Sequence, residues 1–190
     1  MLEQILPVDC RDLAAKLIAE FGSMPKLVTA SAERLHQVCG SPGAVAAIRT
    51  FRAAMLYTLR ARLDAKPLID DWRSLLDYLQ ADMAHHSIER FRVLHLNTRH
   101  ILIRDEVMTE GTIDQAPIHV REVVRRAVEL ASSALILVHN HPNGTPSPSR
   151  ADIDVTRALV AAGRPLGIAV YDHLIVWAGG HFSLRTEGLM

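Results

Sequence analysis

Residues 133 to 141 read SALILVHNH, and Ala134 through Val138 are all apolar. A run this short, rich in Ile, Leu and Val and bounded by turn residues, has the pattern of a strand buried on both faces. Such a strand belongs in the middle of a covered sheet, so the neighbouring segments decide the fold. RFRVLHLN and HILIRDEVM before it read as strands, as do IAVYDHLIVW and HFSLR after it. HVREVVRRAVELA has helical spacing, with Val120, Val123, Val124, Ala127 and Leu130 on one side. RADIDVTRALVAAG is a second helix closed by Gly163, and WRSLLDYLQADM is a third, ahead of the first strand. This order predicts an α/β domain with a mixed sheet flanked by helices.

The chain before this domain reads differently. RDLAAKLIAEFG ends in a C-cap glycine, Gly22, and TASAERLHQVCG starts with capping residues Thr29 and Ser31 and ends in Gly40. SPGAVAAIRTFRAAMLYTLRARL is a long amphipathic stretch. Short turns between helices predict a small bundle. The pattern breaks at DAKPLIDD, which places a helical module at residues 1–65 and the α/β domain at 66–190. With 190 residues, 49% of them hydrophobic, the chain has material for one sizeable core and a small companion.

Charge excludes little. Lys plus Arg and Asp plus Glu number 21 each, so the whole chain has no attraction to nucleic acid or acidic membranes. Cys10 and Cys39 form no CxxC and no disulfide framework, which suits a cytoplasmic protein with reduced thiols. MLEQILPVDC lacks the pattern of a secretory signal, and no apolar run approaches the roughly 18 residues of a membrane span. Ten histidines raise the question of a metal.

That question centres on HNHPNGTPSPSRAD, residues 139 to 152. His139 and His141 are at i, i+2, so on a strand both face one side. Pro142, Asn143, Gly144, Pro146 and Pro148 turn the chain, and a helix follows with Pro148 in its first turn and Ser147 suited to its N-cap. Asp152, in the first turn, can reach back as a third ligand. Two imidazoles and a carboxylate leave a tetrahedral zinc one open position for water, whose pKa falls toward about 7. Iron or manganese suits the same donors. Ser149 and Asp152 also fit a capping box, which needs no metal.

H-x-H, seven residues, Ser, two residues, Asp resembles the JAMM signature of the MPN+ metallopeptidase-like fold, filled here by His139, His141, Ser149 and Asp152. The longer text REVVRRAVELASSALILVHNHPNGTPSPSRADIDVTRAL with DHLIV is similar to the RadC family in particular, over residues 67 to 187. The resemblance implies a JAMM/MPN, cytidine-deaminase-like sheet and a JAMM-type hydrolase acting on an amide or isopeptide bond. It implies one Zn2+ per chain, held by His139, His141 and Asp152. It also implies that Ser149 stabilises an oxyanion, and that a glutamate on an earlier strand serves as general base. Glu89 in SIERFRVLHLN matches that glutamate; Glu106 and Glu110, near the next strand, are alternatives.

Three further residues match family positions. His119 opens HVREVV, where the family has His-Pro, and reads as helix-entry packing or a rim residue. Asp172 and His173 either support a ligand from behind or form a structural pair. His85 and His86 read as solvated. RadC proteins carry a helix-hairpin-helix turn for DNA and a link to DNA repair. VCGSPGAVAAI keeps Gly40 and Gly43, but the glycine spacing differs, lysines are absent and Pro42 lacks a donor. Arg49, Arg52, Arg60 and Arg62 compensate for the lysines or form a solvated helix face. A nucleic-acid-binding accessory protein is therefore the alternative function.

Overall fold

The computed structural model describes residues 10–64, 66–111 and 118–190; the N-terminal segment read above for a secretory signal lies outside them, apart from Cys10. The chain divides into two compact units, Met1–Thr58 and Leu59–Met190.

In the first unit, α1 spans Cys10–Phe21, α2 Met24–Thr29 and α3 Ala32–Cys39, and α4, Pro42–Ala61, runs on past the division. Helix α2 was not foreseen. Ser23 caps it and Pro25 sits in its first turn, a start signal that a six-residue helix leaves with too little periodicity to notice. Thr29 consequently ends α2, while Ser31 caps α3 through the Arg34 N–H. Gly40 ends α3 with φ 64°, a left-handed value that glycine adopts without strain. Leu17, Leu27, Leu35, Val38 and Val45 form the core of this unit.

In the second unit, α5 (Trp72–Met83) precedes β1 (Arg90–Leu96) and β2 (Leu102–Glu110). Then come α6 (Val120–Glu129), β3 (Ala134–Asn140), α7 (Arg150–Gly163), β4 (Ala169–Trp177) and β5 (Gly180–Ser183). The sheet order is β2-β1-β3-β4-β5; β3 and β4 are parallel and the other pairs antiparallel. All seven residues of β3 are buried, as its uninterrupted apolar run requires. Phe91, Val93, Leu135 and Leu137 meet Val123 and Ala127 of α6 and Leu159 of α7 on one face. Arg92, on the opposite face of β1, reaches Asp82 of α5. The sheet is mixed and flanked by helices, as the sequence predicts.

Two local expectations are corrected. The Ser149–Asp152 capping box forms as read, but Ser147 does not cap α7, so Pro148 precedes the helix instead of opening it. Gly163 is the last residue of α7 and not the one after it, and the chain continues through a 3-10 turn, Arg164–Leu166, to Gly167 at φ 69°. Gly163 is needed for proximity, since a Cβ there would lie 2.4 Å from the Ile168 carbonyl oxygen.

Candidate metal centre

Strand β3 delivers both histidines. His141 lies one residue beyond the strand, but its N–H still bonds the Val176 carbonyl at 2.9 Å. The ladder thus carries through Asn140, and the i, i+2 pair stays on one face. His139 and His141 are buried, with their Nε2 atoms 2.8 Å apart. Asp152 comes from the first turn of α7, also buried, with Oδ1 3.5 Å from His139 Nε2 and Oδ2 4.0 Å from His141 Nε2. Glu89, just before β1, places Oε1 3.9 Å from His139 Nε2. One ligand atom from each of Glu89, His139 and His141 lies within 4.8 Å of the others, a group that could hold a metal ion.

Asn140, overlooked in the sequence, points away from the histidines. Its Oδ1 accepts from the Arg90 N–H at 2.9 Å and its Nδ2 donates to the Ile88 carbonyl at 3.1 Å. These are the two neighbours of Glu89, so Asn140 fixes the backbone on both sides of that carboxylate. The available signal was a polar residue with no exposed face at the end of a buried strand, which must find partners.

The electrostatics follow from burial. Desolvation, with the His141 charge adding to it and Asp152 opposing, lowers the pKa of His139 to about 4, so the ring is neutral near pH 7. Burial, and next the Asp152 carboxylate, raises that of Glu89 to about 7. His173, buried behind His139, is held well below the usual histidine range by burial.

The donors suit a cation. His141 Nδ1 faces the Thr145 carbonyl at 2.7 Å. A carbonyl only accepts, so His141 keeps its proton on Nδ1 and offers the Nε2 lone pair to the site. Around that lone pair stand the His139 imidazole and the carboxyl groups of Glu89 and Asp152. Such an acceptor-rich set is costly to bury without a positive partner. Imidazole nitrogen and carboxylate oxygen are the donors zinc takes.

Ser149 belongs to a complete capping box. Its Oγ accepts from the Asp152 N–H at 3.1 Å and donates to Asp152 Oδ2 at 2.6 Å, while its own N–H donates to the same Oδ2 at 2.7 Å. Capping and site geometry are therefore one feature: the box orients Asp152 toward the histidines. His173 contacts His139 directly, Nε2 to Nδ1, at 2.8 Å. Asp172 does not join it. Its oxygens accept from the His173 N–H, the Ser183 hydroxyl and the Arg185 N–H, which ties β4 to the turn after β5. His119 is exposed at the N-cap of α6 with no side-chain capping bond. Glu106 accepts from Arg126 and Glu110 from Arg90, so neither alternative to Glu89 is in the cluster. His85 and His86 are half-buried, not solvated, and His86 contacts Arg90 at 3.0 Å. Arg49 of α4 is exposed, and Arg60, past the division between the units, pairs with Asp64 at 3.2 Å.

Residues 69–189 match the family model described as the RadC-like JAB domain. The chain belongs to the RadC family. It is 43% identical over 183 residues to a UPF0758 protein of Rhodobacter capsulatus, covering 96% of this chain and 86% of that protein. It is 42% identical over 183 residues to a UPF0758 protein of Ruegeria pomeroyi, covering 96% and 82%. The RadC match begins within the 3-10 turn at Leu68–Asp70 and takes in every residue of the cluster. Among the described residues, no helix is long and apolar enough to cross a membrane.

Proposed function

We propose that this RadC-family chain is a zinc-dependent hydrolase of amide or isopeptide bonds. One observation carries the reading: two neutral-capable imidazoles and a capped carboxylate converge beside a carboxyl group whose pKa stands at about 7. His139, His141 and Asp152 would hold the metal. Bound there, zinc supplies Lewis acidity and lowers the pKa of water in its open position.

The remaining roles fall to the chain itself. With a pKa of about 7, Glu89 populates both protonation states near neutrality, so it can take a proton from the attacking water and return it to the leaving nitrogen. Asn140 holds the backbone that presents Glu89. Ser149 has one hydroxyl proton, which here goes to Asp152 Oδ2; serving an oxyanion requires that hydroxyl to rotate away from the carboxylate.

Plasma mass spectrometry on untagged protein purified without chelator tests the reading. About one zinc per chain in the wild type, lost in Asp152→Ala, is expected. Wild-type protein that takes up no metal even when zinc is supplied would sink it. Hydrolysis of isopeptide-linked and linear peptide panels, absent in Glu89→Gln that still holds zinc, then separates the enzyme from a metal-bound scaffold.

A further inference from the structure

His139 has work for both ring nitrogens. Nε2 faces the cluster, and Nδ1 lies 2.8 Å from His173 Nε2. A neutral imidazole carries one proton and one lone pair, and a metal takes the lone pair. His139 can therefore ligate through Nε2 only while Nδ1 keeps the proton and an acceptor receives it. His173 is that acceptor only if its own proton sits on Nδ1, which lies 2.6 Å from Thr156 Oγ1.

Thr156 settles the direction. It lies in α7 four residues after Asp152, and its Oγ1 is 2.5 Å from the Asp152 carbonyl oxygen. That carbonyl has no proton to give, so the Thr156 hydroxyl donates to it and turns its lone pairs toward His173. The bonds then run one way: Thr156 O–H to Asp152, His173 Nδ1–H to Thr156, His139 Nδ1–H to His173. The opposite direction would put a proton on His139 Nε2 and leave the Asp152 carbonyl facing a lone pair. Thr156 and His173 are both 0% exposed, so water cannot stand in for either.

We propose that Thr156 and His173 are positioning residues for the metal, forming a relay from the main chain of Asp152 that holds His139 with its Nε2 lone pair toward the site. The inference rests on the zinc reading above. The relay starts on one proposed ligand and ends on the ring of another, so α7, β4 and β3 must all be seated for the donors to be set. It also differs from the usual carboxylate or carbonyl behind a metal-bound histidine, because the acceptor is itself a neutral ring that needs an anchor.

Two measurements on the full chain test it. Zinc affinity is read by competition with a chromophoric chelator for the wild type, Thr156→Val and Thr156→Ser. Valine keeps the shape and removes the hydroxyl; its affinity is expected to fall about 10- to 100-fold, and serine is expected to restore it. Nitrogen-15 NMR of histidine-labelled, zinc-loaded wild type is expected to show His173 protonated on Nδ1 and bare on Nε2. Valine binding zinc as tightly as wild type, or a His173 proton on Nε2, would overturn the relay and leave the zinc site standing. Wild-type protein that binds no zinc would remove both. If Thr156→Val does not fold, the wild-type spectrum decides alone.

Discussion

Two buried polar clusters lie on the α/β unit, and they differ in how their hydrogen bonds balance. On the α5 face, Arg92 donates to Asp82 at 2.5 Å, to Asp105 at 3.3 Å and to the Tyr78 hydroxyl at 3.2 Å. Tyr78 in turn donates to Asp105 at 2.6 Å. Burial pushes the Arg92 pKa down, but Asp105 and Asp82 outweigh it and hold the guanidinium above its ordinary value. Donors there face acceptors, and among the described residues only the Arg92 Nε of this cluster is left buried without a partner. At the histidine cluster, acceptors face acceptors: the lone pair of His141 and the carboxylates of Glu89 and Asp152 meet around His139 Nε2. Burial of polar groups therefore does not by itself mark a site. What separates the two clusters is whether a positive charge of the chain's own stands among the carboxylates.

The sharpest way to break this comparison is to remove the centre of each cluster. Arg92→Met should cost about 3–5 kcal/mol of stability, because it strands buried carboxylates. Urea denaturation measures the loss, and the zinc content of the folded variant should be unchanged. Asp152→Ala should do the reverse, losing the metal at a smaller cost to the metal-free fold. If Arg92→Met abolished zinc, the clusters would not be separable.

Metal removal gives the next effect. Zinc at a hundredfold excess over its Kd should stabilise the wild type by about 2.7 kcal/mol, and chelation should reverse this. In Arg92→Met the increment should persist on a lower baseline, read as parallel shifts in thermal melts.

Proton binding gives a third. Glu89 stands at about 7 when folded and near 4.3 when unfolded, so between those values the folded state binds more protons. Its contribution is fully present below the lower value and is lost as pH rises through about 7. Metal-free Glu89→Gln should therefore be more stable than wild type at pH 8, with the gap closing toward pH 4. His139 works oppositely. Its folded pKa of about 4 lies below the unfolded value near 6.5, so its contribution is present above that value and fades as pH falls toward 4. A series of urea midpoints for the two proteins, each against pH, checks both signs. The smallest effect belongs to Ser149→Ala, about 0.5–2 kcal/mol from the lost cap. Its zinc affinity should fall as well, since the hydroxyl also orients Asp152.

What could be read from the sequence was what repeats or sits close along the chain. The strands and long helices followed from periods of two and 3.6, and β3 from its unbroken apolar run. His139, His141, Ser149 and Asp152 were legible because the strand and the following helix turn fix their relation within 14 residues. Thr156 was invisible, since an alcohol in mid-helix resembles any surface position until β4 docks on it. Asn140 was passed over because its partners flank Glu89, about 50 residues earlier. The sequence offered two caps for α7, Ser147 and the Ser149–Asp152 box, because two serines flank Pro148 and only backbone geometry chooses between them; the box is the one that forms. Sequence spacing encodes local order; it does not encode which side chain waits for a distant one.

The parallel pairing of β3 with β4 has a consequence for how the protein matures. Glu89 emerges from the ribosome first, and the histidines and Asp152 follow, yet the ring that receives the His139 proton lies on a strand made after α7. A nascent chain ending before residue 173 therefore carries every proposed ligand without the support behind one of them. On the relay proposed above, metal capture at full affinity would wait for the second half of the βαβ unit, and zinc taken up by a growing chain would report that β4 has docked on β3.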